Sequence, residues 1–282
     1  MGQLAPSDVV TSARRVLYCP SPNCDSEPMA KILMPLPARD FDPTETGVPW
    51  HVLTERGHHI VFATPEGQVG EADPLMVTGK GLGLLAPFLR ANADGQSAYA
   101  AMAASAAFRA PIAYAGIRVD DFDAILLPGG HAKGMRPYLE SPLLQAHVAA
   151  FFASAKPVGA ICHGVVLAAR SKMPAGRSVL HGRKTTALTR QMEMTAWSLT
   201  ALYLGDYYRT YPETVEDEVR AVLASADDFV PGPTSLARDT LAHPERGFTV
   251  RDQNYLSARW PGDAHRFALE FGSMVNGGAA NI

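Results

Sequence analysis

The sequence predicts an α/β protein: a three-layer, doubly wound and mainly parallel sheet carrying a helical cap insertion. Three observations predict it. Short apolar runs alternate with helix-compatible stretches along the chain. The 282 residues, 47% hydrophobic and 19% charged, suffice for one sizeable core. Chemistry-bearing residues, Glu45, Gly129-Gly130 and Cys162-His163, fall just past predicted strand ends, where open α/β sheets bind ligands.

The elements follow in order. Residues 1–28, rich in Ser and Pro, read as an N-terminal extension, and residues 29–282 as one domain. Lys31 to Leu36 is an apolar strand. Asp42-Pro43 opens a helix, with Asp42 as N-cap and Pro43 in the first turn. It should run to Arg56, stop at Gly57, and bend or start late because of Pro49. His59 to Thr64 is the second strand. Residues 73–116 read as a helical cap insertion: Gly79, Gly81 and Gly83 lack the spacing of a phosphate loop and precede alanine-rich helical stretches. Ala124 to Leu127 is a buried strand closed by Pro128-Gly129-Gly130-His131. Ser141-Pro142 caps a helix that runs to about Ala155, and Pro157 to Ile161 is the next strand. Met192 to Tyr208 and Glu213 to Ser225 are helix-like. Phe248 to Val250 and Tyr255 to Ser257 form a hairpin, and Asp263 to Val275 a final helix.

Composition excludes several roles. A net charge of −3 points to neither nucleic acid nor a membrane surface as partner. No run of about 18 apolar residues offers a membrane span, and the first residues lack the pattern of a secretory signal. Three cysteines, Cys19, Cys24 and Cys162, are too few for a disulfide scaffold and fit a reducing, cytoplasmic setting. Cys19 and Cys24 have no second Cys or His pair to complete a metal site. The adjacent His58 and His59 would face opposite sides of a strand, which makes them a poor metal pair.

The sharpest signal is Gly159-Ala160-Ile161-Cys162-His163-Gly164. An apolar strand runs into a reactive side chain, a small residue follows, and a helix starts at once: the layout of a nucleophile elbow. A thiol at a helix N-terminus meets the positive end of the helix dipole, which favours thiolate. A buried structural cysteine is the plainer alternative. Glu45 could equally be a surface helix residue, His163 a satisfied core histidine, and His131 a pocket or a surface residue.

Ala160-Ile161-Cys162-His163-Gly164, Leu127-Pro128-Gly129-Gly130-His131, Glu45-Thr46-Gly47-Val48-Pro49 and the closing Tyr255 to Asp263 together resemble the ThiJ/PfpI superfamily. The resemblance implies the class I glutamine amidotransferase-like, flavodoxin-like fold. The cap resembles the larger branch with heat-shock chaperones and glutathione-independent glyoxalase III enzymes. It implies Cys162 as nucleophile, His163 as a site histidine and Glu45 as the acid beside the thiol. Gly129 and Gly130 would form the turn at the oxyanion hole, with the His163 amide as its other donor, and His131 would line the pocket. It further implies a homodimer. One departure stands out. The branch often has an Asp that orients the histidine, but residues 185–189 contain no carboxylate, and the first is Glu193.

The chemistry expected is that of a cofactor-independent enzyme acting on a small carbonyl substrate. Thiolate addition to a 2-oxoaldehyde gives a hemithioacetal. Proton transfer through an enediol and hydrolysis of the thioester then release a 2-hydroxy acid, as from methylglyoxal to lactate. This route needs neither metal nor nucleotide. Other classes fit the same residues: a stress chaperone, a redox sensor oxidised at Cys162, or another Cys-dependent hydrolase or hydratase acting on an amide, ester or isonitrile.

Overall fold

The structure, a computed structural model, describes residues 29–277. The expected N-terminal extension, with Cys19 and Cys24, lies outside them. The first half of the chain forms β1 (Lys31–Pro35), β2 (Arg39–Phe41), α1 (Pro43–Glu55), β3 (His59–Thr64), β4 (Glu71–Ala72) and α2 (Pro74–Thr78). Then come α3 (Ala86–Leu89), α4 (Ala93–Ala104), α5 (Ala106–Arg109), β5 (Ile112–Ala113) and β6 (Ala124–Leu127). The second half forms α6 (Arg136–Leu139), α7 (Pro142–Ala153), β7 (Val158–Ile161), α8 (Gly164–Arg170), α9 (Arg190–Leu204) and α10 (Val215–Val222). It closes with β8 (Thr249–Asp252), β9 (Tyr255–Ala258) and α11 (Ala264–Val275).

Seven strands pair in the order β5-β3-β1-β6-β7-β9-β8. All pairs are parallel except β8 with β9. Parallel strands buried on both faces must be apolar throughout, and β6 and β7 are buried at every position. Helices cover both faces. α1 packs on α4 and α11, while α7 and α8 pack together and against β6. From β1 the chain winds outward through β3 to β5, then returns to β6 and winds the other way. The carboxyl ends of β1 and β6 therefore diverge into a crevice at the switch point, where such sheets bind ligands.

Two expectations change. Pro49 neither breaks nor delays α1. The Asp42 carboxylate accepts from the Thr44 and Glu45 amides at 2.7 and 2.9 Å, fixing the first turn. Packing against α4 and α11 holds the rest of the helix despite the missing N–H. Residues 73–116 are not one insertion in spatial terms. α4, α5 and β5 join the main body, with β5 as an edge of the large sheet. Only the stretch through α2 and α3 stands apart. It shares a second small core, Met76, Leu82 and Tyr208, with Trp197 and Leu204 of α9 packed against it. The lid over the crevice is thus built from two distant chain segments.

Candidate active site

The elbow has the expected geometry. Cys162 directly follows β7 with φ of +56°, in the left-handed region that residues other than glycine rarely adopt. The turn closes because position 164 has no side chain: a Cβ there would sit 2.1 Å from the Leu127 carbonyl oxygen. Gly129 is constrained in the same way, since a Cβ would meet Glu45 Oε2 at 2.6 Å and the His163 nitrogen at 2.8 Å. Backbone, thiol and carboxyl are therefore packed to contact.

Cys162 is buried, and its sulfur lies 3.5 Å from His163 Nδ1. Glu45, on the first turn of α1, is 1% exposed. Its Oε2 accepts from the Gly129 amide at 3.1 Å, and the carboxyl also interacts with the Cys162 thiol. The structure thus brings Cys162, Glu45 and His163 together. Gly129 has a different task from the one anticipated. Its amide is engaged by Glu45, so the turn's free approach to substrate is through Gly130, which lines the cavity. His131 is pocket-lining rather than surface: its ring stacks on Tyr208 at 4.3 Å between centroids and meets Tyr207 edge-on at 4.9 Å.

The partner of His163 is Thr210, which the sequence did not suggest. Its hydroxyl lies 3.0 Å from His163 Nε2 and also bonds the His131 carbonyl. A carbonyl only accepts, so the hydroxyl hydrogen goes to His131 and the hydroxyl oxygen accepts from Nε2–H. This fixes the tautomer and leaves the Nδ1 lone pair facing sulfur. Glu193, the carboxylate nearest in sequence, binds the Val215 amide at 2.9 Å and so caps α10 instead. The site is a Cys-Glu pair with a histidine oriented by a hydroxyl. Thr210 follows Tyr207, Tyr208 and Arg209 in a loop without periodicity, so no sequence signal marks it.

Burial dominates the electrostatics. It pushes the Cys162 thiol well up, the charges of Glu45 and Asp42 add to this, and the His163 amide opposes it. The thiolate expected from the helix end is therefore outweighed by desolvation. Burial, then the Asp42 charge, holds Glu45 well above the usual carboxylate range. Burial drives His163 down to about 3 and His131 down to about 4. Burial thus favours the uncharged form of thiol, acid and imidazole alike. Asp42 is raised to about 6, again mainly by burial.

The site opens into a cavity of about 940 Å³. Cys162, Glu45, Gly130 and His131 line one end, while Met76, Phe88 and Leu89 of the lid and Met192 and Leu199 of α9 line the other. Among the described residues, no group of three or more His, Cys, Asp or Glu side chains could hold a metal ion. His58 is buried and His59 exposed, on opposite sides of the strand start. Among the described residues, no helix is long and apolar enough to cross a membrane.

Comparison with known proteins agrees with this fold. The family described as ThiJ/PfpI family-like matches residues 36–233. The chain belongs to this ThiJ/PfpI family. Within it, the chain is similar to deglycase PfpI of Pyrococcus furiosus, 31% identical over 245 residues, covering 87% of this chain and 99% of the relative. Deglycase PH1704 of Pyrococcus horikoshii is 27% identical over 240 residues, covering 85% and 96%. Among solved structures, glyoxalase III from Candida albicans superimposes with a TM-score of 0.63 at 18% identity, covering 86% of this ThiJ/PfpI chain and 96% of the other. Drosophila melanogaster DJ-1beta gives a TM-score of 0.53 at 16% identity, covering 88% and 92%. These likenesses carry the fold, a mostly parallel sheet with helices on both sides.

Proposed function

We propose that this protein is a cofactor-independent enzyme in which Cys162 attacks the carbonyl carbon of a 2-oxoaldehyde, as in the glyoxalase III reaction. The observation that carries the reading is the contact of a strained, buried thiol with an acid on one side and a neutral imidazole on the other.

The resting charges order the steps. As sulfur adds to the aldehyde carbon, its proton passes to His163 Nδ1, and Glu45, still protonated, donates to the carbonyl oxygen. The Gly130 and His163 amides would be the backbone donors for that oxygen. The product is a neutral hemithioacetal flanked by imidazolium and carboxylate. Glu45 carboxylate then takes the C1 hydrogen to form the enediolate, opposite the imidazolium, and returns it to C2 as the thioester forms. Water adds to the thioester, its proton goes to Glu45, and His163 returns the other proton to the leaving sulfur. The net change is addition of water, giving a 2-hydroxy acid and the starting enzyme.

Purified protein should convert methylglyoxal to lactate without glutathione, and Cys162→Ala should abolish the conversion. Equal consumption by wild type and Cys162→Ala would end the reading. A second reading is favoured by the name of the 31% identical Pyrococcus furiosus relative. As a deglycase, the same thiol would take the carbonyl compound from a glycated amine or thiol. Faster release of thiol from a preformed methylglyoxal hemithioacetal than its spontaneous dissociation allows would favour that reading over the use of free aldehyde.

A further inference from the structure

The cavity is far larger than a three-carbon aldehyde requires. Its volume of about 940 Å³ lies at the upper end of the roughly 300–1,000 Å³ typical of pockets for drug-sized ligands. Its walls are also divided by chemistry. The lid and α9 supply Phe88, Leu89, Met192 and Leu199. The loop before β8 and the turn after β9 supply Arg238 and Trp260.

Two N–H donors and one hydroxyl at the polar end lack hydrogen-bond partners, although the carboxyl groups of Asp42 and Glu45 line the same cavity. Arg238 Nη1, Trp260 Nε1 and Tyr208 Oη are all buried and have no hydrogen-bond partner among the described residues. Guanidinium and indole N–H groups can only donate. Arg238 Nη2 bonds the Phe88 and Arg90 carbonyls at 3.3 Å, and its guanidinium sits 5.3 Å from the Trp260 ring centre. Among the described residues it has no ion pair. The carboxyl charges that act on it are those of Asp42, whose Oδ1 is already committed to two amides of α1, then Glu45 and Asp239. Desolvation accordingly pushes Arg238 below the usual arginine range.

The donor corner is also rigid. Asp239, the next residue, accepts from the His265 and Arg266 amides at 3.2 and 2.8 Å and so ties the loop to the start of α11. Upstream, the Pro233 carbonyl accepts from Arg259 at 2.5 Å, and Arg259 is itself fixed by a buried 2.9 Å pair with Asp263. A half-buried cation with an unpartnered N–H on a fixed loop suits a planar anion that accepts two hydrogen bonds.

We propose that the substrate is an amphipathic carbonyl compound, with an apolar body of aromatic or branched-alkyl size held by the lid and α9 and a carboxylate held by Arg238 and Trp260. The proposal rests on the reading that Cys162 attacks a carbonyl, because only then does the ligand of this corner become the substrate.

Binding and turnover test the two separately. Calorimetric titration of Cys162→Ala with 4-phenylbutyrate, 4-phenylbutyramide and acetate isolates the acid and the apolar body. The carboxylate should bind about 10- to 100-fold more tightly than its amide, the range of a charge-assisted hydrogen bond, and acetate far more weakly than either. Arg238→Met should erase the acid-to-amide ratio, and Arg238→Lys should keep part of it. Equal or undetectable binding of acid and amide, or a ratio unchanged by Arg238→Met, overturns the proposal. The wild-type comparison of acid and amide stands even if a variant misfolds. With active enzyme, 4-phenylbutyrate should inhibit methylglyoxal consumption competitively, and binding without competition also overturns the proposal. If no oxoaldehyde is consumed by any form, the carbonyl reading fails while the acid-to-amide ratio still reports on the corner.

Discussion

At the scale of single residues, the site runs on desolvation. Burial favours the neutral form of each of its three candidate reacting groups, so the proposed reaction would proceed by moving protons among neighbours. Thr210 matters for this reason. It holds His163 in the tautomer that offers Nδ1 to sulfur. Thr210→Val keeps the shape but leaves Nε2–H buried without an acceptor, at a cost of about 1–3 kcal/mol. The expected outcome is a fall in kcat of about tenfold or more with KM little changed, and recovery in Thr210→Ser. An unaltered kcat in Thr210→Val would remove the hydroxyl from the mechanism. The same residues show what the sequence discloses. Cys162 and His163 were legible because an elbow imposes local order: strand, small residues, helix; Glu45 was legible through its place past a strand end and the family resemblance. Thr210 was not, because its role depends on a loop crossing the site from 47 positions away in the chain.

At the scale of elements, two junctions set the geometry. The first is the elbow between β7 and α8. In Gly164→Ala the new methyl would overlap the Leu127 carbonyl oxygen and carbon, at 2.1 and 2.8 Å, and neither backbone atom can rotate away. Destabilisation of about 3 kcal/mol or more is expected, read as a lower urea midpoint at unchanged m-value. The second is the start of α1, where Asp42 serves as cap and is raised to about 6 from an ordinary 3.8. The folded state therefore binds this proton more tightly than the unfolded chain. The resulting stability is fully present below about pH 4 and is lost as pH rises through 6. Two units correspond to about 3 kcal/mol as an upper bound. Asn also caps helices, so Asp42→Asn should gain on wild type by up to that amount between pH 4 and pH 7. Parallel urea titrations at the two pH values check it, and a constant difference between the proteins would contradict it. The same junction explains why Pro49 misleads: the rule against internal proline is local, whereas a capped first turn and packing on two helices are not.

At the scale of the molecule, a rigid parallel sheet carries the reacting groups and a lighter lid covers them. Alternating apolar runs revealed the sheet because each strand must be buried on both faces. The lid stayed hidden because its halves, α2–α3 and α9, are separated in sequence and meet only through the fold. Its own core has three buried members, Met76, Leu82 and Tyr208, whereas the main core includes every residue of β6. Few buried contacts mean a low free energy of local opening. Amide hydrogen exchange should therefore be faster in α2, α3 and α9 than in β6 and β7, with the lid opening as one unit. Leu82→Ala removes a side chain that is 0% exposed, and should lower the lid's opening free energy by about 2–5 kcal/mol. The strands should keep their protection. If Leu82→Ala weakens lid and strands alike, the two cores are one cooperative unit. Separate behaviour would instead mean that substrate can reach Cys162 through lid opening, without disturbing the sheet that holds the thiol in its strained turn.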